Sequence, residues 1–133
     1  MKNIKRILIL CVMGVWVLGC QNKKQLPFDD YPVRSGDLSE MVYSPEQTKF
    51  SVWSPIAEEV RLMLFESGHE GHALTTIPME KDEEGTWNCI VNEDLLGKFY
   101  AFNVKIDEVW QGETPGINAI AVGVHGNRAA IID

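Results

Sequence analysis

An all-β antiparallel sandwich is the fold class this sequence predicts, on three observations. Apolar and polar residues alternate with period two in several runs, as strands with one buried face require. Turn-forming residues recur between those runs at short intervals. No stretch sustains a helical period; residues 92–96 alone hint at one and are too few to matter. Many short strands punctuated by turns are the signature of a sandwich.

The elements follow in order. Residues 21–30 are polar with one proline and read as a tether, and residues 31–43 read as an irregular lead-in with at most a short strand. In the next run Phe50 and Val52 alternate with Lys49, Ser51 and Trp53. Pro55 cannot donate to a ladder, so it marks a corner. Val60, Leu62 and Leu64 then alternate with Arg61, Met63 and Phe65. Further strands are expected at residues 74–80, 86–91 and 99–106, with short pieces at 109–111 and near 128–132. Ser67, Gly68 and Gly71 break one connection, residues 82–85 a second, and Leu96-Gly97 and Asp107-Glu108 two more. The expected core is Phe50, Val52, Val60, Leu62, Leu64, Trp87, Cys89, Val91, Tyr100, Phe102 and Val104. Each large side chain in such a set contributes roughly 1.5–3 kcal/mol when buried.

The first nineteen residues read as a leader. Lys2, Lys5 and Arg6 precede an apolar run over residues 7–18, too short and wrongly flanked for a spanning helix. Val17-Leu18-Gly19-Cys20 reads as a lipobox, with Cys20 lipidated and first in the mature protein. The expected setting is a bacterial cell envelope, at the outer membrane or cell surface, with the membrane a partner through that lipid. Cys11 leaves with the leader, so Cys89 has no thiol to pair with. Its place between Trp87 and Val91 suits a small core residue, and no basic neighbour in sequence would activate it. Of twelve basic residues the leader holds three, leaving nine against nineteen acidic ones. No basic cluster offers itself to phosphates, which argues against a nucleic-acid partner.

No catalytic constellation is legible. His69 and His72 lie three apart in a Gly-broken loop, whereas a zinc-protease helix needs them four apart on one face. Residues 82–84 lack the alternating oxygen ligands of a calcium loop. Paired carboxylates for glycoside hydrolysis need a cleft holding them about 5–9.5 Å apart, which a small sandwich does not offer. Nucleotide and nucleophile-elbow motifs are missing as well. No catalytic residue, cofactor or metal is expected. Three tryptophans remain as sugar-stacking candidates, because a flat indole can cover the apolar face of a pyranose. Trp87 belongs to the core pattern, Trp53 ends its strand, and Trp110 closely follows the Asp107-Glu108 turn.

These residues carry a resemblance. FSVWSPIAEEVRL at residues 50–62 resembles the N-terminal β-sandwich of type I pullulanases, an immunoglobulin-like module of carbohydrate-binding family 48 in glycoside hydrolase family 13. The matching continues through GTWNCIV, DLLGKFYAFNV and ETPGINAIAVGVHGNRAAIID, covering nearly everything after residue 31. The last piece resembles the passage from sandwich to catalytic barrel, so the resemblance divides the chain into leader (1–19), lipidated Cys20 and tether (20–36), sandwich (37–115) and junction (116–133). One departure is local: the family reads Asp-Pro-Tyr-Ala where this chain has Pro115 to Ala119. The resemblance implies an α-glucan partner such as pullulan, amylopectin or glycogen. It carries over Trp110, with Asn103 as a polar contact, and Trp53 stands as a further aromatic candidate. The earlier loop at residues 66–72, where relatives present a second tryptophan, has only histidines for rings. The acids that hydrolyse α-1,6 bonds would lie in a barrel of about 250 residues beyond Asp133. This chain is therefore expected to be the non-catalytic N-terminal piece of a debranching enzyme, with its own barrel as partner. The alternative is a stand-alone α-glucan-binding lipoprotein.

Overall fold

The computed structural model describes residues 26–133, and the expected leader and the expected lipidation site at Cys20 lie outside the described residues. A short 3-10 turn at Phe28–Asp30 precedes nine strands: β1 (Met41–Tyr43), β2 (Thr48–Trp53), β3 (Glu59–Phe65), β4 (Thr75–Pro78), β5 (Glu80–Lys81), β6 (Thr86–Val91), β7 (Phe99–Ile106), β8 (Val109–Trp110) and β9 (Ala129–Ala130). One sheet runs β1-β2-β6-β5, the other β4-β3-β7-β8 with β9 also on β7, and every pairing is antiparallel. The architecture is an immunoglobulin-like β-sandwich. Among the described residues no helix is long and apolar enough to cross a membrane.

Alternation decides what each layer buries. Phe50 faces Cys89 and Val52 faces Trp87 across one sheet; Leu62 faces Phe102 and Leu64 faces Tyr100 across the other. The two layers meet where the Phe50 and Tyr100 rings pack edge to face at 5.1 Å, with Phe102 edge-on to Tyr100 at 5.5 Å. The expected core residues are all buried except Cys89 and Val104, which are partly buried against it. Ala57, Met79, Leu95, Ala129 and Ile131 join them.

Residues 74–80 do not form a single strand. Met79 is buried with its N–H still donating to the Val60 carbonyl of β3, but Glu80 pairs with Asn88 of β6, so the chain leaves β4 there and enters β5 in the opposite sheet. Proline at 78 suits the end of an edge strand.

The C-terminal segment completes the fold. On the edge of β7 away from β3, residues pair successively with β8, with Thr114 and with β9. Residues 116–133, read from sequence as a junction, thus supply an edge strand and the fully buried Ile131. Arg128 fastens the segment: its guanidinium lies 3.5 Å from the centre of the Phe65 ring, binds Glu113 at 3.1 Å, and donates to the carbonyls of Ser67, Glu70 and Gly71. A side chain at Gly123 would meet the Gly68 carbonyl oxygen at 2.5 Å, so the two loops at this end pack backbone against backbone.

Ile131→Ala is expected to destabilise the protein by about 2–5 kcal/mol, read from urea unfolding. A loss below about 0.5 kcal/mol, typical of surface positions, would put this segment outside the core.

Candidate functional site

The outer face of the β4-β3-β7-β8 sheet carries what the core alternation leaves over. Across β3 and β7, Glu59 lies opposite Lys105 and Arg61 opposite Asn103. The hairpin to β8 turns on Asp107 and Glu108, both at positive φ (50° and 64°) as a tight two-residue turn between antiparallel strands requires. The Glu108 N–H donates to the Glu58 carboxylate at 3.2 Å, tying this turn to the start of β3. The hairpin sets Trp110 opposite Lys105 at the sheet edge.

Trp110 is half-buried. The Arg61 guanidinium lies over its ring, 4.0 Å from the centroid, and the Lys105 ammonium is 5.8 Å away. Arg61 Nε donates to Asn103 Oδ1 at 2.9 Å, and Asn103 Nδ2 donates to the Gln111 carbonyl. Asn103 is only 5% exposed and both ends of its amide are engaged, so it braces the site from beneath. Lys105 is paired with Glu59 at 2.6 Å, and that bond, aided by the charges of Glu59, Glu58 and Glu108, raises its pKa against a smaller cost of burial.

The other candidates fall elsewhere. Trp53 is 43% exposed in β2, in the opposite sheet, and its indole N–H donates to the Glu84 carbonyl at 3.0 Å. The structure therefore brings Trp110 and Asn103 together and leaves Trp53 apart. Trp87 is buried, its N–H held by the Ser54 carbonyl at 2.9 Å. Burial pushes the Cys89 thiol up to about 11, which leaves it protonated near neutrality. In the loop around His69 and His72, three backbone carbonyls that could face a cation are taken by Arg128, which brings its own positive charge. Asp82 Oδ1 accepts the N–H groups of Glu84 and Thr86, so the acidic turn is a β-hairpin cap. Arg61 had no signal as a single residue; its role comes from standing opposite Asn103 and reaching the next strand.

A concavity of about 150 Å³ lies between the lead-in and residues 118–120. It is smaller than the roughly 300 Å³ at which ligand pockets begin. Its floor is Glu40, a carboxylate 2% exposed that accepts the N–H groups of Ile117 (3.1 Å) and Asn118 (2.8 Å). Gly116, at φ 90°, passes so close that a side chain there would meet Glu40 Oε2 at 2.3 Å. In this chain the Glu40 carboxylate takes the space that a side chain at 116 would need, and glycine leaves it free.

Residues 39–126 match the family model of carbohydrate-binding module 48 (isoamylase N-terminal domain). The chain belongs to this family. It is 31% identical over 105 residues to a pullulanase of Bacillus subtilis (strain 168), covering 79% of this chain and 14% of that one. Among solved structures, the pullulanase from Paenibacillus barengoltzii in complex with maltohexaose and alpha-cyclodextrin superposes with a TM-score of 0.73 at 42% identity. That match covers 80% of this chain and 16% of that one. The pullulanase from Anoxybacillus sp. LM18-11 superposes with a TM-score of 0.70 at 29% identity, over 80% of this chain and 15% of that one. The chain thus spans a small part of each of these relatives.

Burial raises the Glu40 carboxyl above its ordinary 4.5, and the two amide bonds pull only partly against that. The folded protein therefore holds this proton to higher pH than the unfolded chain. The resulting stabilisation is complete below the unfolded value and is lost as pH rises through the native one. Glu40→Gln loses one of the two backbone N–H bonds, because its NH2 cannot accept, but it has no charge to desolvate. Its stability deficit against the parent is therefore expected to shrink as pH rises across that window, in urea unfolding at stepped pH. A difference that stays constant with pH would contradict this.

Proposed function

We propose that this chain is the non-catalytic, α-glucan-contacting module of a pullulanase-type debranching enzyme, and that Trp110 is its stacking surface. The carrying observation is the half-buried indole that a two-residue hairpin presents at the sheet edge in a member of a carbohydrate-binding family. The relatives crystallised with linear and cyclic maltooligosaccharides support α-glucan as the partner. Hydrolysis of α-1,6 bonds belongs, in this reading, to a catalytic barrel outside these residues. Four exposed apolar side chains, Ile117, Ile120, Val122 and Val124, follow one another along the C-terminal segment and support it as the face that packs on such a barrel. Trp53, on the other layer with its indole N–H engaged by the Glu84 carbonyl, would contact a neighbouring domain and not the glucan. Lipid on Cys20 would hold the module at the cell envelope, a reading supported by the Leu18-Gly19-Cys20 pattern after an apolar run.

Stacking on one aromatic ring is worth about 1–3 kcal/mol in the comparable case of nucleic-acid bases. Trp110→Ala is therefore expected to abolish retardation of the full chain in an amylopectin-containing native gel, while Trp53→Ala leaves most of it. Retardation that survives Trp110→Ala would overturn the assignment.

A further inference from the structure

The indole of Trp110 does not stand empty. The Arg61 guanidinium sits over the ring, 4.0 Å from its centroid. The cation is fixed in place: register sets Arg61 opposite Asn103, Asn103 Oδ1 accepts its Nε–H at 2.9 Å, and the Gln111 carbonyl holds the other end of that buried amide. A guanidinium over an aromatic face occupies ring surface that a pyranose would otherwise cover. Lys105, the other cation near the ring, is held by Glu59 at 2.6 Å and sits farther away.

We propose that Arg61 is a resident competitor for the sugar-stacking face of Trp110, seated on the indole in the free protein and displaced when α-glucan binds. The proposal rests on the reading of Trp110 as the glucan platform. Its consequence is a module whose affinity is set below what its aromatic surface would otherwise give. Displacing the guanidinium gives up a cation–π contact at a partly exposed site, which corresponds to about a two- to fivefold weakening of glucan binding.

The test is calorimetric titration of maltoheptaose into the full chain carrying Arg61→Ala, Trp110→Ala or both, beside the parent. The expected result is about two- to fivefold tighter binding for Arg61→Ala, with the gain lost when Trp110→Ala is added. Arg61→Lys keeps the charge without the plane, is expected to give a smaller gain, and serves in place of Arg61→Ala if that variant does not fold. Unchanged or weaker binding by the arginine variants, with Trp110→Ala still destructive, would overturn the competitor and leave the platform standing. Equal binding by all variants, or no binding by any, would overturn both.

Discussion

Everything on the outer face inherits its position from the register of β3 against β7. Leu62 with Phe102 and Leu64 with Tyr100 turn inward because burying them removes large apolar surfaces from water. Alternation then forces Arg61, Asn103, Glu59 and Lys105 outward and into pairs. A slip of one residue would send the aromatic residues to solvent and the charges into the core, so the register has no near competitor. The hairpin at Asp107 and Glu108 extends this order by one strand and sets Trp110 beside Lys105. The candidate site thus follows from core packing carried through one turn.

The C-terminal segment is held by two charges that the fold has taken out of water. Arg128 is 8% exposed and Glu40 is 2% exposed. Each is surrounded by partners suited to its sign: carbonyls, a carboxylate and a ring face for the arginine, and backbone amides for the glutamate. Removing a partner from such a buried group costs far more than its presence adds, so these contacts specify one path for the chain. The path leaves Ile117 and Ile120 exposed at 94% and 78% while Ile131 is fully buried. One segment is therefore both a closing edge of the sandwich and a source of exposed apolar surface.

Much of this was legible in sequence because period two is a local signal. Thr48–Trp53, Glu59–Phe65, Thr86–Val91 and Phe99–Ile106 form as the alternation predicts. The crossing at Met79 was not, since nothing local marks it: the switch shows only in the pairing, with Pro78 opposite Arg61 in one sheet and Glu80 opposite Asn88 in the other. Arg128 and Glu40 stayed hidden because the partners of each lie at long range in the chain. At the site, Trp110 could be picked out from its position after a turn. The cover that Arg61 places on it, and the engaged amide of Asn103, require knowing which residues stand opposite each other.

The most direct test of the account follows the indole N–H signals of isotope-labelled protein during titration with maltoheptaose. The account predicts that the Trp110 signal shifts saturably, while the Trp87 and Trp53 signals stay close to their starting positions. A shift at Trp53 with Trp110 unmoved would place the sugar on the opposite sheet and contradict it.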